Sequence, residues 1–301
     1  MSSSYVSLAN PTSTAIGNHT NMAFRVSYWV IPIFSGLSWL VTLLALLLYW
    51  IVATSSTHYS SMSPEQTIAF ISDVGASTLK PLFVTGCILT SVLLDASFLC
   101  DWFLRRRGRL LPNETRTERV LSGLTVAFAV VGMVGLCCLA GFDTARFPRL
   151  HLVFLFFFIV GYLISAVCIC AQYRRLGKRY LENPLLRTSY RIKLAFVVVE
   201  FLLAVTFVAL LVRGGEYYNR AAVVEWVLAL VFSFYAFSFA IDLYPAAETS
   251  TRRQQRQSVT DKNGVAEPEY TVAGGAELGR ADEEMAMRSA RVGGEDGTRL
   301  L

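Results

Sequence analysis

Residues 152–170 read LVFLFFFIVGYLISAVCIC, a run of 19 residues without a charged side chain. An α-helix rises about 1.5 Å per residue, so roughly 20 apolar residues cross the roughly 30 Å hydrocarbon core of a bilayer. Inside that core only a helix or a closed barrel satisfies its backbone hydrogen-bonding groups. The run therefore predicts a membrane-spanning helix.

Five further apolar runs occur along the chain. The six predicted spans cover residues 27–53, 81–104, 120–142, 150–172, 192–212 and 221–244. Of the 301 residues, 54% are hydrophobic and 16% are charged, whereas a soluble domain carries about 25% charged residues. The sequence therefore predicts an all-α fold, a polytopic bundle of six transmembrane helices. Residues 1–26 are expected to form a polar cytosolic tail, and residues 245–301 a disordered cytosolic tail.

Lysine and arginine are unevenly distributed among the loops. The segments after the second and fourth spans hold 13 of these residues, and the other three loops hold five. Because lysine and arginine accumulate in cytoplasmic loops, the basic segments and both termini are predicted to be cytosolic. The sequons at Asn18 and Asn113 are then expected to carry no glycan. The candidate cytosolic basic residues are Arg105, Arg106, Arg107, Arg174, Arg175, Arg252, Arg253 and Arg256.

The charged and metal-binding residues exclude several classes of function. The net charge of +5 comes from basic residues beside the apolar runs, which favours contact with membrane lipids, including anionic phospholipids, over nucleic-acid binding. The six cysteines show no CxxC spacing, and the chain holds only three histidines. Zinc sites use three or four such ligands, so the sequence predicts no metal and no cofactor.

Two carboxyl groups, Asp95 and Glu200, lie inside predicted spans. A charged group at mid-bilayer costs at least about 2.5–3.5 kcal/mol, so both are expected to face the bundle interior. Hydroxyls such as those of Ser91 and Thr206 are candidate partners. Three interpretations remain open, namely hydrogen bonds between helices, a cavity for a lipid headgroup, and a path for protons.

The predicted outward loops contain a second group of polar residues. In Ile71-Ser72-Asp73-Val74-Gly75, the sequence predicts a turn in which Asp73 caps backbone amides and Gly75 has a positive φ. Asp73, His151 and Glu225 are candidate catalytic residues. The candidate lipid or headgroup ligands are Asp73, Lys80, Asp143, Arg146, His151, Glu225 and Trp226.

The chain ends with Asp296-Gly297-Thr298-Arg299-Leu300-Leu301. An acidic residue followed by two leucines is typical of a sorting signal, so Asp296, Leu300 and Leu301 are candidate sorting residues. The basic residues at the start of the same tail are candidates for binding the anionic lipids of the cytoplasmic leaflet.

Several of these motifs resemble the DRAM/Frag/Sfk family. The resemblance is carried by Ile71-Ser72-Asp73-Val74-Gly75, by Lys80-Pro81-Leu82-Phe83 at the entry to span two, by His151 at the start of span four and by Glu225-Trp226 in span six. It covers residues 27–244 and implies a six-helix bundle with cytosolic ends. The long tail with a basic start is most similar to the fungal suppressor-of-four-kinase branch.

The resemblance implies three functions. The suppressor-of-four-kinase branch implies a non-enzymatic protein of the plasma membrane that organises lipids, sterol among them, or recruits a phosphoinositide-kinase complex. The Frag branch implies remodelling of GPI-anchor lipids at the lumenal face in the Golgi or endoplasmic reticulum. The DRAM branch implies modulation of autophagy at the lysosome or vacuole. We expect the first function, and a proton-coupled transporter using Asp95 and Glu200 is the least expected.

Overall fold

The computed structural model describes residues 27–180 and 184–263, with side chains described for residues 27–180 and 186–245. The described part of the chain consists of helices joined by loops, without β-strands. The helices are α1 (Val30–Leu48), α2 (Ile71–Gly75), α3 (Lys80–Arg106), α4 (Arg116–Gly141), α5 (Pro148–Arg179), α6 (Pro184–Arg213) and α7 (Tyr217–Asn263). One turn of π-helix, Tyr49–Ala53, extends α1.

Six of the helices are long and apolar enough to cross a membrane, and only α2 is not. Their outward surfaces carry large apolar side chains, such as Phe34, Phe156 and Leu202, each about 60% exposed. Lipid, rather than water, stabilises an apolar surface of this size. The structure therefore confirms the predicted all-α fold with six membrane-spanning helices.

Three helices extend well beyond the predicted spans, and one of them is α6, which begins at Pro184. Helix α5 continues to Arg179 and α7 continues to Asn263. The backbone of residues 246–263 is thus helical where a disordered tail was expected, because arginine and glutamine, which favour helix, are its main residues together with threonine. The side chains of Arg252, Arg253 and Arg256 on this extension lie outside the described residues. So do Asp296, Leu300 and Leu301.

The six long helices form a closed ring. Each packs against its neighbours in sequence, and α7 returns to pack against α1. Glycines allow the closest approach, which is between α4 and α5: a Cβ atom on Gly161 would lie 2.5 Å from the backbone N of Gly132, and one on Gly135 would lie 2.5 Å from the backbone N of Phe158. Small residues at such contacts are typical of membrane helices.

Because the spans alternate in direction, the loops gather at two opposite faces. The α2 face holds residues 54–79, 142–147 and 214–216, and the arginine face holds residues 105–115 and 172–180. Hydrogen bonds hold the loops at each face, as from Thr67 N to Asn219 Oδ1 in the first turn of α7 and from Arg179 to Glu114.

Candidate functional site

Helix α2 is held in place by side chains of α7. It has only five residues, and so short a helix is not stable on its own. The backbone N–H of Ile71 donates a hydrogen bond to Glu225 Oε2 at 2.8 Å, and Trp226 Nε1 donates to the carbonyl of Ala69 at 3.0 Å. The Glu-Trp pair of the last span therefore anchors α2 to the bundle.

Asp73 connects α2 to the loops around it. The backbone N–H of Phe70 donates to Asp73 Oδ2 at 3.0 Å, which confirms the predicted capping role. Ser61 Oγ and Thr144 Oγ1 donate to Asp73 Oδ1, at 2.6 and 3.4 Å. Both carboxylate oxygens are therefore occupied by bonds within the fold.

The predicted positive φ at Gly75 is wrong. Gly75 is the last helical residue of α2, and the described glycines with positive φ are Gly108, Gly214 and Gly215. Glycine is needed at position 75 for space, because a Cβ atom there would lie 2.6 Å from the ring of Phe83. The requirement comes from packing, which the local sequence does not reveal.

His151 lies at the start of α5 and is only 5% exposed. Its Nδ1 is 3.1 Å from the carbonyl oxygen of Leu139 and 3.0 Å from that of Phe142. Carbonyl oxygens only accept, so Nδ1 carries the proton and Nε2 is left as an acceptor. His151 thus satisfies two carbonyls at the end of α4, where the helix itself provides no partner.

Lys80 and Asp143 join the start of α3 to the loop after α4. Their ion pair has an Nζ–Oδ2 distance of 2.5 Å, and the backbone N–H of Arg146 donates to Asp143 Oδ1 at 2.8 Å. Burial raises the pKa of Asp143, but the hydrogen bonds and charges of Lys80 and Arg146 outweigh it, so the pKa is lowered from its ordinary value. The side chain of Arg146 is exposed.

Most polar side chains of the predicted outward patch thus form hydrogen bonds or ion pairs within the fold. His151 lies within electrostatic range of Asp73 and Asp143, and Glu225 lies within range of Asp73. Among the described residues, the partners of His151 Nδ1 are backbone carbonyls and none is a carboxylate. That pattern differs from a nucleophile–histidine–acid relay, in which a carboxylate orients the imidazole. The described residues also contain no cluster of three or more metal-ligating side chains.

Two adjoining cavities lie inside the bundle. The α2 cavity has a volume of about 50 Å³, and Ser72, His151 and Glu225 are its polar lining residues. The Glu200 cavity also has a volume of about 50 Å³. Both cavities are lined by Phe158, Ile159, Leu228 and Phe232.

The intramembrane carboxyl groups do not bond to the predicted hydroxyls. Tyr162 OH donates to Asp95 Oδ1 at 3.2 Å. Ser91 and Thr206 instead donate to carbonyls of their own helices, because a hydroxyl in a helix reaches the carbonyl four residues earlier. Glu200 Oε1 is buried without a hydrogen-bond partner.

Arg105 was predicted among the cytosolic basic residues available to lipids or partners, and the structure contradicts this. Its side chain is buried, with hydrogen bonds from Nε and Nη2 to the two oxygens of Asp101, at 2.8 and 3.0 Å. Nη2 also donates to Tyr173 OH at 2.9 Å. A guanidinium readily forms such a paired contact with one carboxylate. The side chain of Arg105 is therefore unavailable to ligands outside the bundle.

The neighbouring arginines are exposed on the arginine face. Arg106 lies 4.0 Å from the ring centre of Trp102, and Arg107 lies 4.2 Å from that of Phe103. Arg174 and Arg175 at the end of α5 are also exposed. Tryptophan rings prefer the membrane interface, so we expect the guanidinium group of Arg106 to lie at the level of lipid headgroups.

A second buried ion pair, between Lys193 and Asp242, joins α6 to α7. Lys193 Nζ lies 2.5 Å from Asp242 Oδ2, and Ser189 donates a short hydrogen bond to the same carboxylate. Lys193 is fully buried, 4.0 Å from the ring centre of Phe239. Sequence reasoning assigned Lys193 to a basic loop and missed Asp242, because no spacing rule links residues on separate helices.

Residues 27–246 match the family model of the Frag1/DRAM/Sfk1/Cwh43P N-terminal domain. The chain belongs to this family. Protein sfk1 of Schizosaccharomyces pombe is 27% identical over 238 residues, which cover 75% of this chain and 68% of that protein. Protein SFK1 of Saccharomyces cerevisiae is 27% identical over 187 residues, which cover 52% of each. No solved structure matches.

The relatives agree with the predicted fungal Sfk1-like branch of the family. The motifs that carried the resemblance converge on the α2 face in this Frag1/DRAM/Sfk1-type chain. Ile71 donates a hydrogen bond to Glu225, and Trp226 donates one to the carbonyl of Ala69. Lys80 forms an ion pair with Asp143, in the loop that precedes His151. These motifs therefore build one structural unit, the anchored helix α2.

Proposed function

We propose that this Sfk1-type chain is a non-enzymatic protein of the plasma membrane that organises membrane lipids or phosphoinositide-kinase signalling from its arginine face. The observation that carries the proposal is the exposure of four guanidinium groups on one face, those of Arg106, Arg107, Arg174 and Arg175. Each positive charge near an anionic leaflet contributes about 1 kcal/mol of attraction. The positive-inside rule supports a cytosolic position for this face.

The bonding on the α2 face supports a non-enzymatic function. Asp73 and Glu225 accept hydrogen bonds from the backbone of α2, and His151 binds the end of α4. These candidate catalytic residues thus have structural partners that account for their positions. The relatives' names, protein sfk1 and protein SFK1, fit the kinase-linked branch of the family.

Paired charge reversals test the proposal. Arg106→Glu/Arg107→Glu and Arg174→Glu/Arg175→Glu are each expected to lower phosphoinositide-kinase recruitment to the membrane, measured by fluorescence together with phosphoinositide levels. The matched control is Arg146→Glu/Arg149→Glu, which reverses two exposed arginines on the α2 face. Equal recruitment in all three variants would refute the proposal.

Orientation is tested separately by cysteine labelling. An impermeant maleimide is expected to label Arg174→Cys only after the cells are permeabilised. It is expected to label Arg149→Cys, on the α2 face, in intact cells if the protein is in the plasma membrane. Labelling of Arg174→Cys in intact cells would place the arginine face outside and remove the basis of the proposal.

Lipid remodelling at the α2 face is a second candidate function, supported by the α2 cavity. His151 Nε2 is free to accept a proton, and Ser72 and Glu225 line the same space. Under this alternative, His151→Asn would abolish exchange of GPI-anchor lipids while the protein remains folded and at the same membrane. Under the main proposal, this variant leaves GPI lipids unchanged.

A further inference from the structure

The Glu200 cavity lies between α5, α6 and α7, near the middle of the membrane. Its polar lining residues are Tyr162, Glu200 and Tyr235, and the rest of the lining is apolar. Glu200 is close to the midpoint of α6, the least buried of the six spanning helices. A carboxyl group at this depth is expensive, and such groups usually have a function.

Two polar atoms of this cavity have no hydrogen-bond partner among the residues that the structure describes. Glu200 Oε1 and Tyr235 OH are buried and accept or donate no hydrogen bond. Tyr235 is only 3% exposed. The ion pairs of the described residues do not include Glu200. Leaving buried polar atoms unpaired costs about 1–3 kcal/mol each, so the cavity is built for an additional group.

Four aromatic rings form one wall of the cavity. Phe158 and Tyr162 have ring centres 5.7 Å apart, Tyr162 and Phe232 have centres 5.5 Å apart, and Phe232 and Tyr235 have centres 6.3 Å apart. Aromatic faces attract cations, and cages of several rings are known binding sites for organic ammonium groups. The aromatic wall and the carboxyl group of Glu200 therefore both favour a cationic ligand.

We propose that the Glu200 cavity binds the ammonium head of a single-chain membrane amine. The head pairs with the Glu200 carboxylate and the aromatic faces, and Tyr235 OH adds a hydrogen bond. A volume of about 50 Å³ exceeds the roughly 30 Å³ that one water molecule takes up in the liquid, which is enough for an ammonium group. Binding of an amine in this cavity is independent of the proposed function of the arginine face.

The apolar tail of the proposed ligand extends into the bilayer beside α6. Glu200 is itself only half-buried, and its neighbours Val199 and Phe201 are exposed on the lipid side. A head bound at Glu200 thus leaves room for an apolar tail among the lipid chains. An aminophospholipid fits less well, because its phosphate would lie beside the carboxylate, and the lining residues include no cation to neutralise it.

The test uses the full chain in phosphatidylcholine nanodiscs and a matched pair of probes. One is a long-chain primary alkylamine carrying a diazirine next to the amine, and the other is the corresponding alcohol. The amine is expected to crosslink to lining residues of α5, α6 and α7, and Glu200→Gln is expected to reduce crosslinking by about tenfold or more, because the charge partner is lost. Tyr235→Phe keeps the ring and is expected to reduce it less.

Thr206→Val is the matched control on α6. Its hydroxyl bonds the carbonyl of Leu202 in its own helix, and Thr206 is not a lining residue, so crosslinking is expected to stay unchanged. Val197→Phe keeps Glu200 but fills the cavity, so this variant is expected to abolish crosslinking. It replaces Glu200→Gln as the test if Glu200→Gln is poorly folded. Equal labelling by amine and alcohol, or undiminished labelling of Glu200→Gln, would overturn the proposal. Equally strong competition by phosphatidylethanolamine would overturn the single-chain assignment.

Discussion

Ile71 N donates a 2.8 Å hydrogen bond to Glu225 Oε2 although the two residues are 154 positions apart in the chain. The bond satisfies a backbone amide in the first turn of α2, where an isolated helix has no partner for it. It also attaches the loop between the first two spans to the last one. The α2 face is therefore closed by α7.

Replacing Glu225 is expected to release α2. Glu225→Leu removes the acceptor of the Ile71 amide, so we expect a loss of about 1–3 kcal/mol in the free energy of unfolding. Glu225→Gln keeps an acceptor oxygen and is expected to lose less. The measurements are unfolding in detergent and limited proteolysis of residues 54–79. Glu216→Gln, at an exposed site on the same face, is the control, and equal stability of Glu225→Leu and this control would contradict the prediction.

Arg105 and Arg106 are adjacent but are expected to respond differently to mutation. Arg105→Ala leaves the Asp101 carboxylate buried and unpaired, which costs about 3–5 kcal/mol. Arg106→Ala removes an exposed stacking contact with Trp102, which contributes about 0.5–1 kcal/mol. Unfolding of the two variants in the same detergent gives the comparison. Similar midpoints for both would show that the Asp101 contact does not stabilise the fold.

The Lys80–Asp143 pair predicts a dependence of stability on pH. The pKa of Asp143 is lowered in the folded protein, below the ordinary value of about 3.9 for aspartate. A lowered pKa means that the stabilisation is complete above the ordinary pKa and is lost as pH falls through the lowered one. The contribution of this pair is therefore constant from pH 7 to 5 and declines below about pH 4.

Asp143→Asn tests this dependence. The variant is expected to have a lower Tm than the wild type at pH 7, and the difference is expected to shrink below about pH 4. Lys80→Met, which removes the other charge, is expected to lower the Tm at pH 7 as well. A difference between wild type and Asp143→Asn that stays the same at pH 3 and pH 7 would disprove the role of the pair.

The contact between α4 and α5 is expected to tolerate no side chain at Gly161. A Cβ atom there would lie 2.5 Å from the backbone N of Gly132, and backbone cannot move aside as a flexible side chain can. Gly161→Ala is expected to cost about 1–3 kcal/mol or more. Gly177→Ala, in the same helix but with open space around it, is expected to stabilise by about 0.5–1 kcal/mol. Thermal unfolding that ranks the two variants in the opposite order would refute this packing.

Individual residues show which features of the candidate site could be predicted from the local sequence. The capping role of Asp73 was predictable because its partner, the amide of Phe70, is three residues away. The Asp101–Arg105 pair also had a local signal, since residues four apart share a helix face. Glu200 was predictable as a costly intramembrane group, but the aromatic wall that it faces comes from α5 and α7 and was not.

The amino-acid sequence by itself determined the six membrane-spanning helices, because the length of an apolar run and the need to satisfy its backbone in hydrocarbon are local properties. Only the tertiary structure decided which polar groups pair inside the bundle. Arg105 and Arg106 are neighbours in one basic run, yet one is buried against Tyr173 of α5 and the other is exposed. The difference arises because the fate of a charge depends on which helix packs against it, and helices far apart in sequence meet only when the ring closes.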